Sequence, residues 1–101
     1  GVMTDLGQLF EGSLCNFPYS INVKGQIVGE SDTDCGGAGG RAWIWENGGP
    51  MVDLNTLVPP GSRMHLVEAQ FINDRGEIAG FGVLPNGHGH AFLLIPRKVE
   101  K

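Results

Sequence analysis

Apolar side chains in this chain fall in short runs of strand length, and Gly, Pro, Asn or Asp punctuates each of them. The pattern predicts eight strands, over residues 3–6, 17–22, 26–30 and 41–46 and again over 51–54, 69–73, 77–83 and 90–95. The last run of each set differs from a half-solvated strand. In Ala42-Trp43-Ile44-Trp45 and Ala91-Phe92-Leu93-Leu94-Ile95 both alternating sets are apolar, so both faces of these strands are expected to be covered. Four-stranded units stacked around an axis cover both faces, whereas a sandwich or a closed barrel covers one.

The two sets of strands belong to an internal repeat. Met3, Asp5, Leu6 and Leu9 recur 48 positions on as Met51, Asp53, Leu54 and Leu57. The segment from Ile21 to Gly29 recurs 51 positions on from Ile72 to Gly80, and Arg41-Ala42-Trp43 aligns with His90-Ala91-Phe92 at an offset of 49. The change of offset places an insertion around Val58, Pro59, Pro60, Gly61 and Ser62, which reads as a loop. One domain of two repeats is expected, with repeat one at 1–47, repeat two at 48–96 and a tail at 97–101.

The turns carry the clearest local chemistry. Asn22 and Asn73 can accept hydrogen bonds from the backbone two residues on, while Gly25 and Gly76 supply a positive φ. Gly7 and Asn55, at equivalent positions, are the residue types that best tolerate the left-handed region, so a fixed bend is expected at both. Pro85-Asn86-Gly87 joins the third and fourth strands of the second repeat, and the glycine run from Cys35 to Gly40 does so in the first.

Composition narrows the functional classes. Of 101 residues, 41% are hydrophobic and 18% charged, which fits a globular domain rather than a disordered chain. The net charge of -4 and the scattered Lys and Arg leave no basic stripe, so nucleic acid is not an expected partner. No apolar run approaches the roughly 18 residues of a membrane span, and no intact signal peptide is visible. The start at Gly1 rather than Met is compatible with a removed leader or tag, or with an upstream part of a longer protein.

Candidate chemistry is sparse. Cys15 and Cys35 show no zinc-type spacing. In an oxidising compartment they could pair as a disulfide, contributing about 3 kcal/mol in the chain-entropy model; two buried thiols are the alternative. His88 and His90 form a His-x-His pair without a third ligand nearby, and Asp32-Thr33-Asp34 lacks the later acidic ligand of a calcium loop. No metal or cofactor is therefore expected. Asp5 and Asp53 recur before turns, which points to acceptors for backbone N–H groups rather than to a catalytic carboxylate pair. Trp43 and Trp45 could stack on sugars if exposed, but Phe92 and Leu94 at matching positions favour core. Ser13, Ser20, Ser31 and Ser62 read as loop or strand-edge residues, and no nucleophile elbow or phosphate loop is present, so nothing supports an enzyme.

In combination, GVMTDLG, INVKGQIVGES, RAWIWENGG, VDLNTL, INDRGEIAG and HAFLLIP closely resemble the bacterial HAF repeat proteins, named for the triplet seen at His90-Ala91-Phe92. The resemblance spans nearly the whole chain and departs from the pattern at Arg41-Ala42-Trp43, Val23 and Phe10-Glu11-Gly12. It implies a β-propeller-like fold, a secreted or cell-surface location and no assigned activity. Family members carry more than two copies, so the resemblance implies either a piece of a longer array or a minimal form completed by association.

Taken together, the expected protein is all-β: two tandem four-stranded antiparallel repeats resembling propeller blades, with a β-sandwich or closed barrel as the alternative. Two blades leave unpaired edges and apolar faces, which predicts a homo-oligomer, a dimer or a trimer. The expected role is a non-enzymatic structural or interaction module. A carbohydrate- or peptide-binding module is the second reading, and an enzyme with a site at an oligomer axis the third.

Overall fold

Both predicted hairpin turns fold on an asparagine. In a computed structural model that describes residues 1–35, 39–59 and 61–97, the backbone N–H groups of Lys24 and Gln26 both donate to Asn22 Oδ1 at 3.0 Å. Those of Arg75 and Glu77 donate to Asn73 Oδ1 at the same distance. Gly25 and Gly76 close the turns at φ 77° and 79°, where a side chain would be strained.

These turns join strands β1 (Cys15–Ile21) to β2 (Ile27–Asp32) and β5 (His65–Ile72) to β6 (Ile78–Val83). With β3 (Arg41–Trp45) and β4 (Val52–Asp53), the first pair forms a four-stranded antiparallel sheet in the order β1-β2-β3-β4. With β7 (Gly89–Leu94), the second pair forms a three-stranded sheet in the order β5-β6-β7. The fold is therefore all-β, and among the described residues its sheets do not close into a barrel.

The repeat survives in three dimensions down to register. Pro18 opposes Gly29 and Ser20 opposes Val28, so Tyr19 bulges from the ladder; Ala69 opposes Gly80 and Phe71 opposes Ala79, so Gln70 does the same. Gly29 then faces Trp43, and Gly80 faces Phe92. A Cβ on Gly29 would meet the Phe17 carbonyl and lie 2.7 Å from the Trp43 ring, and one on Gly80 would meet the Glu68 carbonyl and lie 2.9 Å from the Phe92 ring. Glycine at these two places lets the aromatic side chain of the next strand lie across the sheet.

The sheets pack face to face. Val28, Ala42 and Ile44 of the first sheet and Leu54 just after β4 meet Leu66, Ala69, Ile72 and Ile78 of the second sheet, with Val58, Met64, Phe92 and Leu94 at the margin. Polar contacts register the two layers. Asn22 Nδ2 donates to the Asn73 carbonyl at 2.9 Å, Val23 N–H to Asp74 Oδ1 at 3.1 Å, and Ile72 N–H to Ser20 Oγ at 3.2 Å.

Several expectations are corrected. Residues 3–6 are not a strand, whereas their repeat equivalent supplies β4, pairing Ile44 with Val52 and Trp43 with Asp53. The sheets thus hold four and three strands rather than four and four, because the first sheet takes its last strand from repeat two. Asn55 does not bend the chain at positive φ as Gly7 does (87°); it lies in the 3-10 turn Leu54–Thr56. Asn55 Nδ2 donates to the Leu66 carbonyl at 3.0 Å while Leu66 N–H donates to Asn55 Oδ1 at 2.8 Å, which ties this turn to β5. Ser31 lies inside β2 and is fully buried, its hydroxyl bonded to Asn16 Oδ1. The expected loose loop at Cys35 to Gly40 falls in part on residues 36–38, and the insertion loop and tail in part on residue 60 and residues 98–101, all outside the described residues.

Candidate functional site: the two outer sheet faces

Strand β3 is covered on both faces, as its apolar pattern predicts: Ala42, Trp43 and Ile44 are all buried. Strand β7 has the same pattern, yet Leu93 is 64% exposed where its counterpart Ile44 is 8% exposed. The difference lies in what stacks on each strand. Ile44, Val28 and Ala42 point from the first sheet into the second, whereas among the described residues nothing covers the corresponding face of the second sheet.

That outer face is apolar. Phe71 opposes Ala79 and Ala79 opposes Leu93, so the three share a side, and Phe81 lies two residues along on the same side. Phe71 is 67% exposed and Phe81 38%. Their counterparts in the first repeat, Ser20 and Glu30, lie on the face that meets the second sheet. The repeat has therefore placed more apolar surface on the uncovered face than on its internal equivalent.

The opposite outer face, on the first sheet, carries a groove of about 590 Å³ lined by Leu6, Pro18, Ile21, Gly25, Ile27 and Trp45, with Val2 and Thr4 along it. Four of these residues have repeat counterparts around a smaller opening of about 320 Å³ at the junction of the sheets, where Leu54, Gly76, Ile78 and Leu94 stand in for Leu6, Gly25, Ile27 and Trp45. Ile44 fills the junction from the preceding sheet. In the outer groove, no described residue takes the place of Ile44.

A polar cleft of about 400 Å³ opens where the two sheets diverge, lined by Tyr19, Glu68, Gln70 and Phe71. The bulge at Tyr19 carries its hydroxyl to Glu30, to which it donates at 2.9 Å; Gln70 Nε2 donates to Glu68 Oε1 at 2.8 Å. Burial holds the Glu30 carboxyl above its ordinary value of 4.5; the Tyr19 hydrogen bond opposes this shift, and the charges of Glu68 and Asp32 add to it. The Tyr19 hydroxyl is pushed up to about 12, first by burial and then by its bond to Glu30. Two carboxylates, an amide and a phenol can accept hydrogen bonds from a hydroxyl-rich or cationic ligand. Sequence reasoning missed this group because two sheets and a bulge bring it together.

Other candidates resolve into structure. Asp5 Oδ1 accepts from Gly7 N–H and Asp53 Oδ1 from Asn55 N–H, both at 2.9 Å, the turn role expected of the pair. Asp53 also lies 3.7 Å from the Arg41 guanidinium. Trp43 is fully buried core, while Trp45 lines the groove. His88 and His90 are exposed, and Asp34 N–H donates to the buried Asp32 carboxylate at 3.0 Å. Among the described residues no three His, Cys, Asp or Glu side chains gather as a metal site, and no helix is long and apolar enough to cross a membrane. The Cα atoms of Cys15 and Cys35 lie 5.4 Å apart, within the range a disulfide spans. No protein-family model, curated protein or solved structure matches this chain.

Proposed function

We propose that this chain is a non-enzymatic structural or interaction module that associates with copies of itself, its two sheets acting as blades of a propeller-like ring, as the resemblance to HAF repeat proteins implies. One observation carries the reading: each outer face is the repeat counterpart of one half of the internal sheet-to-sheet junction. The face around Leu93 corresponds to the face around Ile44, and the groove around Trp45 and Ile27 corresponds to the surface around Leu94 and Ile78 that Ile44 meets. Stacking one chain on the next repeats a contact that the fold already makes once. Fully burying a side chain such as Leu93 or Phe71 is worth about 1.5–3 kcal/mol each. A dimer of four blades or a trimer of six would result, with a secreted or cell-surface location in which Cys15 and Cys35 form a disulfide.

Light scattering on a sizing column at several concentrations tests this. A defined multiple of 10.8 kDa is expected. A monomer at every concentration would overturn the proposal. A second reading, a binder of carbohydrate or peptide, is favoured by the cleft that sets Tyr19 and Phe71 beside Glu68 and Gln70. A thermal-shift screen against glycans and short peptides should then raise the melting temperature, and an unchanged temperature at high ligand concentration counts against it.

A further inference from the structure

We infer that residues 2–6 of a second copy add as a strand along the outer edge of β7, in the register that β4 adopts on β3. The inference rests on the self-association proposed above and names the segment and the partner edge that effect it. Three observations converge on it.

Among the described residues, β7 pairs only with β6, so its second edge presents unpaired N–H and C=O groups. In the first sheet the equivalent edge, that of β3, is taken by β4, with Ile44 opposite Val52 and Trp43 opposite Asp53. The repeat counterpart of β4 is the stretch around Thr4 and Asp5, which forms no strand in the single chain and leaves Val2 and Met3 98% and 94% exposed. An edge without a strand and a strand without an edge are thus both present in one molecule.

The segment already carries one contact of the β4 end. Asp5 accepts from Gly7 N–H as Asp53 accepts from Asn55 N–H, at the same 2.9 Å, although the chain goes on through Gly7 at positive φ and through Asn55 in a 3-10 turn. Carried to the second repeat, the pairing sets Leu93 opposite Thr4 of the second copy and Phe92 opposite its Asp5. His90 then takes the position that Arg41 holds beside Asp53. Leu6 of the second copy would sit as Leu54 does, and the groove that Leu6 lines would receive Leu93 as the junction receives Ile44.

The contact is head to tail. Each copy gives its 2–6 segment to one neighbour and its β7 edge to the other, so the assembly closes into a ring when the rotation per copy divides a full turn. Main-chain hydrogen bonds would give the addition its strength, and alternate side chains its register.

Paired cysteines test the register. Thr4 and Leu93 are exposed in the single chain, so T4C and L93C leave the fold intact. The double variant T4C/L93C, oxidised and run on a non-reducing gel, is expected to convert to covalent multimers. M3C/L93C, whose thiols would project from opposite faces of the pairing, is expected to stay uncoupled. Light scattering on the same samples separates the two proposals. An oligomer that cross-links equally in both pairs, or in neither, overturns strand addition and leaves self-association standing. A monomer overturns both, as does a cross-link confined within one chain, seen as a faster-migrating monomer band.

Discussion

Ile44 and Leu93 hold the same place in two copies of one repeat, and they live in opposite environments. Strand, register and flanking residues agree: Val28 faces Ile44 as Ala79 faces Leu93. Ile44 is buried because a second sheet follows the first, and Leu93 is exposed because the described chain places no third sheet behind the second. Burial here is set by what comes next in the stack rather than by local pattern. In repeat architectures each unit is stabilised by its neighbours, and an end unit exposes what an interior unit hides.

The sharpest way to break this comparison is to alter both residues. Ile44→Ala removes buried apolar volume at the junction and is expected to cost about 2–5 kcal/mol of folding stability. Leu93→Glu should leave the folded monomer within about 0.5 kcal/mol of the parent, as surface changes do. It should nevertheless reduce the mass in light scattering to that of a single chain, because an unpaired carboxylate would enter an apolar groove. Equal denaturation midpoints for the two variants, or an unchanged oligomer in Leu93→Glu, would dissolve the distinction.

A second pair compares positions where the repeats behave alike. Gly29 and Gly80 each lie under the aromatic side chain of the neighbouring strand and against a carbonyl of the other neighbour. Alanine at either site forces the backbone or the ring to move, at about 1–3 kcal/mol. Urea denaturation should give similar losses for the two variants. A loss confined to Gly29→Ala would mean that the second sheet adapts where the first does not.

Much of this architecture was legible in sequence, and the failures share one cause. The hairpin turns at Asn22 and Asn73 follow from local chemistry, whereas the two-sided cover expected of both β3 and β7 is met in β3 alone, and the shared bulges at Tyr19 and Gln70 were not foreseen. Residues 3–6 were expected to be a strand because residues 51–54 resemble them, but a strand exists only where an edge receives it, and β3 is the edge that residues 52 and 53 find. The reading of Asn55 failed in the same way. Its side chain satisfies the backbone of Leu66, eleven residues on, which no local propensity for a left-handed bend could reveal. The cluster of Tyr19, Glu30 and Glu68 was illegible for the same reason.

Asn55 supplies the next comparison, since its counterpart Gly7 has no side chain with which to make such a bridge. Asn55→Ala leaves Leu66 N–H and C=O without those partners, while Leu66 itself is buried. A loss of about 1–3 kcal/mol is expected. Amide hydrogen exchange at Leu66 should quicken in this variant more than at Ile72, which keeps its bond to Ser20. Uniform acceleration across β5 would instead mark a global loss of stability.

The smallest effect expected concerns protons, and it again separates the junction from the outer faces, because Glu30 lies at the junction where Phe81 takes its place on the open side. Its carboxyl is held above 4.5 in the folded chain, chiefly by burial. The folded state therefore binds the proton more tightly than the unfolded state does, and stability falls as pH rises from the unfolded value through the folded one. The contribution is fully present below pH 4.5 and gone above the raised folded value; Tyr19 adds a loss of the same sign between pH 10 and about 12. Glu30→Gln removes the partly buried charge and keeps an acceptor for the Tyr19 hydroxyl. This variant should melt at a higher temperature than the parent at pH 7 and match it at pH 4, with the parent's acid-side slope flattened. A parent whose melting temperature rises with pH across that window would mean that Tyr19 stabilises the Glu30 carboxylate by more than burial and Glu68 destabilise it.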